Sequence, residues 1–127
     1  MAFKKIATGL QHIGLPTNDI KKTIEFYTAL GFEVAYQTVL NGETPVAFLK
    51  LGDLVIETYE NGQAVGKWGA IDHVAINVTD VNEARRIADE MGLKVIEAGE
   101  LPFWANGVKY FTIEGPNNEK VEFNQYL

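Results

Sequence analysis

The chain carries the same sequence pattern twice, and this repeat constrains the fold more than any other feature. The stretch that begins at His12 matches the stretch that begins at His73 without a gap. Each histidine is followed, at equal distances, by an aspartate, a glycine and a valine: Asp19, Gly31 and Val34 in the first copy, and Asp80, Gly92 and Val95 in the second. The pattern predicts two modules of about sixty residues each, at 9–62 and 70–127, joined by a linker at 62–69.

Each module is predicted to contain one strand, one helix and three further strands. The histidine lies in the first strand, and the aspartate that follows is a typical helix N-cap residue. Apolar residues then recur at helical spacing until the glycine ends the helix. Turn residues separate the three later strands, which are expected near Glu33–Leu40, Thr44–Leu51 and Leu54–Tyr59 in the first module, and near Leu93–Glu97, Val108–Ile113 and Lys120–Tyr126 in the second. The prediction is an α+β fold made of two tandem βαβββ modules.

Composition excludes several classes of protein. A chain of 127 residues suits one domain, 1–127, and its net charge of −6 argues against nucleic-acid binding, since the longest basic runs are pairs such as Arg85-Arg86. The absence of cysteine removes disulfides and thiolate chemistry. The basic start at Met1–Lys5 is followed by too short an apolar run for a signal peptide, and no stretch is long enough to span a membrane. The expected location is the cytoplasm.

Strand alternation places four polar side chains on equivalent faces. Apolar neighbours of each histidine are predicted to pack beneath the helix, which turns His12 and His73 to the other face. The last strand of each module places Glu57 and Glu122 on that same face. Two imidazoles and two carboxylates form a neutral shell around a divalent ion and suit Zn, Ni, Co, Mn or Fe better than Ca or Mg.

Structural roles are the alternative for each of these residues taken alone. A single strand histidine is more often a structural residue than a ligand, and a single strand glutamate more often lies at a solvated face or sheet edge. The recurrence of the same pair in both modules favours a metal site, because a carboxylate is costly to bury unless it is paired or bound to a metal.

These residues resemble the vicinal oxygen chelate superfamily, which includes glyoxalase I, bleomycin-resistance proteins, dioxygenases, fosfomycin-resistance enzymes and methylmalonyl-CoA epimerase. The resemblance extends from about Gly9 to Leu127. Its most specific elements are the strand with His12, the Glu25-Phe26-Tyr27 and Leu30-Gly31-Phe32 motifs, the Asp72-His73-Val74-Ala75 motif, and the Gly115-Pro116-Asn117 turn before Val121-Glu122-Phe123. In the closing motif Asn117 and Asn118 replace the usual residues.

The resemblance implies a fold and an activity. The two modules would form a curved mixed sheet around a metal-binding cleft, with one divalent ion (Ni, Zn, Co or Mn) held by His12, Glu57, His73 and Glu122. This ligand set is the pattern of short bacterial glyoxalase I, or lactoylglutathione lyase. It implies a lyase or isomerase that acts on an α-hydroxy carbonyl or hemithioacetal substrate through an enediolate. Glu122 is expected to be the general base by resemblance, although the residues themselves do not distinguish it from Glu57.

The resemblance also bears on the substrate and on assembly. Glyoxalase I typically has an arginine shortly after the first histidine, where this chain has Ile13-Gly14-Leu15-Pro16. Asn61 does match a polar position that binds the glutathione tail, so the expected glutathione site is half present. Relatives of this length usually form homodimers in which both subunits supply metal ligands, and the sequence fits ligands from one chain or from two.

Several aromatic residues are candidates for the wall of a substrate pocket. Phe103 and Trp104 lie in the predicted Leu101–Asn106 loop, which interrupts the second module and is the candidate for determining specificity. Trp68 and Tyr59 are further candidates. An ordinary role in the core or at a dimer interface is the alternative for all four.

Two other functions remain open. One is an epimerase of a thioester or sugar derivative, which would share the metal and the bases. The other is a metal-free protein that sequesters a small molecule such as a drug. Metal analysis separates the last from the enzymes.

Overall fold

The computed structural model describes residues 3–69 and 71–127 of the chain, with only the backbone of Phe3. The first two residues of the basic start, and Ala70 at the predicted beginning of the second module, lie outside the described residues. The chain divides into two compact units, with the boundary between Ala64 and Val65. In the described part of the chain no helix is both long and apolar enough to cross a membrane.

The first module contains one helix and one four-stranded mixed sheet. After a short 3-10 helix at Phe3–Lys5, its elements are β1 (Ile13–Thr17), α1 (Ile20–Ala29), β2 (Glu33–Leu40), β3 (Thr44–Leu51) and β4 (Leu54–Glu60). The strand order is β1-β4-β3-β2, with β1 parallel to β4 and the other pairs antiparallel. The first strand lies beside the last one, and α1 carries the chain from β1 at one edge of the sheet to β2 at the other.

The second module has the same architecture. Its elements are β5 (His73–Asn77), α2 (Val81–Glu90), β6 (Val95–Leu101), β7 (Val108–Glu114) and β8 (Lys120–Tyr126). The strand order β5-β8-β7-β6 repeats that of the first module, including the parallel pair of first and last strands. The predicted α+β fold with two tandem βαβββ modules is confirmed, and the described strands form two mixed sheets.

The sequence prediction of the bounds of β6 was wrong. The strand was expected near Leu93–Glu97 and lies at Val95–Leu101. Leu93 instead belongs to the helix C-terminus, since its backbone N–H donates to the carbonyl of Ala88 at 3.0 Å. A bulge between Val95 and Glu97 then lets the strand continue to Leu101, which pairs with Val108. Leu101 is therefore a strand residue, and the loop begins after it.

Both helices start at the predicted aspartates. The carboxylate of Asp19 accepts a hydrogen bond from the backbone N–H of Lys22 at 3.1 Å, and that of Asp80 accepts one from Glu83 at 3.0 Å. A second acceptor comes from the last strand of each module, because Glu60 binds the N–H of Ile20. Gln125 binds the N–H of Val81 in the same way. Each helix is thus fixed at its N-terminus both locally and across its own sheet.

Replacing either N-cap aspartate with alanine is expected to lower the free energy of unfolding by about 1 kcal/mol. The backbone donor would lose its side-chain acceptor, while the cross-sheet acceptor would remain. Urea denaturation of Asp19→Ala and Asp80→Ala measures the effect. Lys21→Ala, at an exposed position of α1, is the control and should change stability by less than half as much; equal losses in all three variants would contradict a capping role.

The helix-facing side of each sheet forms the core. Leu49 and Ile56 in the first module, and Ile113 and Val121 in the second, are at most 3% exposed. Leu49 and Ile56 are cross-strand partners in the first sheet, and Ile113 and Val121 are cross-strand partners in the second. The two cores are therefore built from equivalent positions, and this leaves the opposite face of each sheet for the histidines and glutamates.

Candidate metal centre

In the first module, the strand register brings His12 and Glu57 together. Gly14 is the cross-strand partner of Glu57, and His12 lies two residues before Gly14 and so on the same face. His12 was expected within the first strand, but it lies immediately outside β1, whose first residue is Ile13. Its Nε2 lies 3.5 Å from Oε1 of Glu57. We call these two residues the first pair.

The second module builds the same pair. Ala75 is the cross-strand partner of Glu122, and His73, the first residue of β5, lies two residues before it. The Nε2 atom of His73 lies 3.6 Å from Oε1 of Glu122. We call these residues the second pair. Residues on either side of each glutamate, such as Ile56 and Val121, are buried on the helix side, so each pair lies on the face away from its helix.

The geometry of each pair fits two ligands of one ion. Two atoms that bind a metal at about 2.1 Å, with about 110° between the bonds, lie about 3.4 Å apart, close to the separations observed. Imidazole nitrogen with carboxylate oxygen is the donor set that transition metals accept. Each pair supplies only two ligands, and no group of three or more histidine, aspartate or glutamate side chains able to hold an ion is found within residues 3–69 and 71–127.

The second nitrogen of each histidine ring contacts the preceding side chain. Nδ1 of His12 lies 3.0 Å from Oε1 of Gln11, and Nδ1 of His73 lies 2.9 Å from Oδ2 of Asp72. Such partners orient metal-binding histidines and leave the other nitrogen for the ion. Both rings are therefore turned with Nε2 toward the glutamate.

Lys120 completes a charged cluster beside the second pair. Its ammonium lies 3.3 Å from Oδ2 of Asp72 and 3.4 Å from Oε1 of Glu97, and 3.8 Å from the centre of the Trp68 ring. The hydrogen bond with His73 and the contacts with Lys120 lower the pKa of Asp72, although desolvation works in the other direction. Desolvation also works against the charge of Lys120, but the two carboxylates raise its pKa overall. Both groups are charged at neutral pH.

The two glutamates differ in their partners. Oε2 of Glu122 accepts a hydrogen bond from the side-chain amide of Asn124 at 3.0 Å. Tyr59 occupies the equivalent position in the first module, and a Cβ at Gly14 would lie 3.5 Å from its hydroxyl. Within the described part of the chain, the carboxylate of Glu57 has its polar contact with His12.

The other residues predicted from the sequence lie in loops and turns. The side-chain oxygen of Asn61 accepts the backbone N–H of Gln63 at 3.0 Å, so it stabilises a turn after β4. Phe103 and Trp104 lie in the loop between β6 and β7 and are 54% and 77% exposed. The Trp104 ring packs edge-on against Tyr126 at 6.0 Å. Trp68 lies against Lys120, as described above.

Sequence reasoning missed the residues that surround each pair. In the first module the cross-strand row beside Glu57 continues through Phe48 to Tyr36, and the ring centre of Phe48 lies 5.8 Å from that of His12. In the second module the equivalent row runs from Glu122 through Thr112 to Glu97. The hydroxyl of Thr112 is buried without a hydrogen-bond partner among the described residues. Comparing the two modules position by position would have shown that the residue types differ at these positions, but not that the residues lie beside the pairs.

Comparisons with known proteins give a consistent result. The sequence profile of the Glyoxalase/Bleomycin resistance protein/Dioxygenase superfamily matches residues 9–123. The uncharacterized protein YwbC of Bacillus subtilis is 31% identical over 94% of this chain and 99% of its own length.

Solved structures share the fold. A glyoxalase family protein from Enterococcus faecalis superposes with a TM-score of 0.77 at 21% identity, covering 93% of this chain and 98% of that one. The fosfomycin resistance protein FosX from Listeria monocytogenes, in complex with Mn(II) and sulfate, gives a TM-score of 0.76 at 18% identity, covering 96% of this chain and 95% of that one.

Proposed function

Since the chain belongs to the glyoxalase/bleomycin resistance protein/dioxygenase superfamily, we propose that it is a metal-dependent lyase or isomerase of the glyoxalase I type. Its substrate in this proposal is an α-hydroxy carbonyl compound or a hemithioacetal. The proposed ligands of one divalent ion (Ni, Zn, Co or Mn) are His12, Glu57, His73 and Glu122.

One observation carries the proposal: the same His–Glu pair is built twice, at equivalent positions of two modules, with equal geometry. The separations of 3.5 and 3.6 Å between nitrogen and oxygen suit ligands of one ion. Each pair alone supplies only two of the three or four protein ligands that divalent transition metals usually take, so one pair would bind an ion only weakly. Two such pairs supply the full set. The structurally similar FosX from Listeria monocytogenes has been solved in complex with Mn(II), which supports a divalent ion here.

The ligands determine what chemistry the site supports. A bound divalent ion supplies Lewis acidity, which withdraws electrons from a substrate carbonyl and stabilises negative charge on its oxygens. A glutamate then removes the proton from the carbon beside the carbonyl, and the electron pair of the C–H bond moves into the carbonyl group. Returning that proton to the former carbonyl carbon, while the hydroxyl proton moves to the former carbonyl oxygen, completes an isomerisation with no net change in oxidation state.

We propose Glu122 as this base. A glutamate that takes up a proton loses its charge, and in a partly desolvated site the carboxyl group then needs a hydrogen-bond partner. Asn124 donates to Oε2 of Glu122 and can hold the carboxylate in that state. Tyr59 occupies the equivalent position beside Glu57 with its hydroxyl near Gly14, but no hydrogen bond between Tyr59 and Glu57 is found within the described residues. The family resemblance and the hydrogen bonding therefore favour the same residue.

The residues around the first pair indicate which kind of substrate the site could bind. Phe48 and Tyr36 present aromatic surface next to His12, with ring centres 6.1 Å apart, and Tyr36 is 60% exposed. They are stronger candidates for contact with an apolar part of the substrate than Phe103 and Trp104, whose contact with the site we keep as a proposal. Asn61 would need to release its turn hydrogen bond to bind a glutathione tail. This weakens the case for glutathione and leaves the hemithioacetal of another thiol, or a simple α-hydroxy carbonyl, as substrates to test.

The proposal includes a homodimer that acts in the cytoplasm. A mixing experiment tests whether the four ligands come from one chain or two. One variant carries His12→Ala and Glu57→Gln, and the other carries His73→Ala and Glu122→Gln. If each ion takes one pair from each subunit, a dimer of the two variants contains one complete site and binds metal more tightly than either variant alone. If all four ligands lie in one chain, neither variant can restore the other.

Metal content followed by activity tests the function itself. We expect untagged protein loaded with Ni²⁺ or Zn²⁺ to retain about one ion per complete site. We also expect it to convert the methylglyoxal–glutathione hemithioacetal or, failing that, an α-hydroxy carbonyl compound. Solvent deuterium incorporated during rearrangement indicates isomerisation, and incorporation with loss of chirality alone indicates an epimerase. Protein that holds no metal when Ni²⁺ and Zn²⁺ are supplied would contradict the proposal and favour a sequestering protein.

A further inference from the structure

The two histidines have different residues in contact with Nδ1 of the ring. Gln11 precedes His12 and Asp72 precedes His73, and each contacts Nδ1 of its ring. An ionised carboxylate only accepts hydrogen bonds, so Nδ1 of His73 must carry the hydrogen in that contact. A glutamine amide presents an oxygen or, after rotation, an NH2 group, and so satisfies either tautomer of His12. Asp72 therefore fixes the tautomer of His73, whereas the amide of Gln11 can rotate to match either tautomer of His12.

Lys120 holds Asp72 in place. Its ammonium contacts both carboxylate oxygens, at 3.4 Å and 3.3 Å, although the two residues are 48 positions apart in the sequence. Glu97 and the Trp68 ring contact the same ammonium from other directions, and the lysine side chain is only 10% exposed. The equivalent residue in the first module is Val55, two positions before Glu57, which cannot anchor Gln11 electrostatically.

The charges near the two pairs differ as well. Three carboxylates and one ammonium lie at or beside the second pair: Glu122, Asp72, Glu97 and Lys120. The first pair has the carboxylate of Glu57, with the rings of Phe48 and Tyr36 beside it. A cation is attracted more strongly by the net negative charge of the second group.

We propose that Asp72, held by Lys120, is a positioning residue that fixes His73 with Nε2 free of hydrogen and turned toward Glu122, so that the second pair takes up a divalent ion before the first pair does. This inference rests on the proposed metal site and adds an order of assembly to it. The first pair, with the more adaptable His12, closes around an ion that the second pair already holds. Partners of this kind contribute about 10–100-fold to metal affinity.

Ring ¹⁵N chemical shifts of metal-free protein test the positioning directly. At about pH 8, where free imidazole is neutral, we expect His73 to show the tautomer with hydrogen on Nδ1, and Asp72→Ala to convert it to a mixture. Asp72→Asn places an amide beside Nδ1, which can accept or donate as the Gln11 amide can, so it should also shift His73 toward a mixture of tautomers. An unchanged spectrum of His73 in Asp72→Ala would overturn the proposal. This readout does not depend on catalysis.

Titration with Ni²⁺ alone tests the order of uptake. The chain with His12→Ala and Glu57→Gln keeps the second pair and should bind Ni²⁺ more tightly than the chain with His73→Ala and Glu122→Gln. In otherwise unchanged protein, Asp72→Ala should weaken Ni²⁺ binding by about 10–100-fold, and Gln11→Ala by clearly less. Lys120→Met should fall between them. Lys94→Met removes an exposed ion pair of the same module, with Glu114 at 3.0 Å, and serves as the control.

The outcomes separate this inference from the proposed function. Equal losses in Asp72→Ala and Gln11→Ala, or tighter binding by the isolated first pair, would overturn the order of uptake. The expected Ni²⁺ order without any turnover would overturn the lyase or isomerase activity and leave the positioning role standing. Absence of Ni²⁺ binding by the unmodified protein would overturn both.

Discussion

Replacing Glu122 with glutamine is expected to lower kcat by about 10²–10⁴-fold, the contribution typical of a general base. Glutamine keeps the size of the side chain and one oxygen, but its amide cannot take the proton from the substrate carbon. The hydrogen bond from Asn124 can still be accepted by that oxygen, so the local structure should be preserved. Steady-state kinetics with the methylglyoxal–glutathione hemithioacetal, or with the substrate that replaces it, measures the loss alongside metal content.

Two other variants define what the result means. Glu57→Gln should weaken metal binding with a smaller loss of kcat in fully loaded enzyme, because Glu57 then acts only as a ligand. Glu43→Gln, in the exposed turn between β2 and β3, should leave both properties unchanged. A greater loss of kcat in Glu57→Gln than in Glu122→Gln would assign the base to the first module instead.

Truncating the core at Leu49 or Ile113 is expected to lower the free energy of unfolding by about 2–5 kcal/mol. Both side chains are fully buried at 0% exposure, and they occupy equivalent positions in the two modules. Alanine at either position removes apolar contacts and leaves a cavity. The strand that carries the residue is hydrogen-bonded to a neighbour on each side, so it cannot readily move to close that cavity. Urea denaturation of Leu49→Ala and Ile113→Ala measures the effect.

The size of the two losses is informative in itself. Ile87→Ala, on the exposed side of α2 with 43% exposure, is the matched control and should change stability by less than about 0.5 kcal/mol. Losses below about 1 kcal/mol in both core variants would contradict the assignment of this face as the core. The face that carries the histidines and glutamates would then have to be reconsidered as well.

Much of the fold followed from local patterns. The helix starts at Asp19 and Asp80 and the helix ends at Gly31 and Gly92 could be predicted because capping and positive φ angles depend on a few adjacent residues. The start of β6 could not. Whether Leu93 continues the helix end or opens the strand depends on its hydrogen bond to Ala88, and both conformations suit an apolar residue.

Part of the candidate site could likewise be predicted from the sequence, and part could not. Alternation along a strand sets the face of each residue, so it predicted that each histidine shares a face with a glutamate of its own module. Alternation says nothing about which residue on the next strand lies opposite. The contacts of Lys120 with Asp72, and the rows that begin at Phe48 and Thr112, depend on strand register, which is set by pairing between distant segments.

By itself, the sequence determined that two βαβββ modules repeat, that each carries a histidine and a glutamate on the face away from its helix, and which superfamily they resemble. Those conclusions need only spacing along the chain. The tertiary structure alone decided that the two pairs have different surroundings, with aromatic rings beside His12 and a lysine-held aspartate behind His73. The physical reason is that hydrogen bonds and ring contacts are made across strands, where the neighbour of a residue is fixed by register and packing.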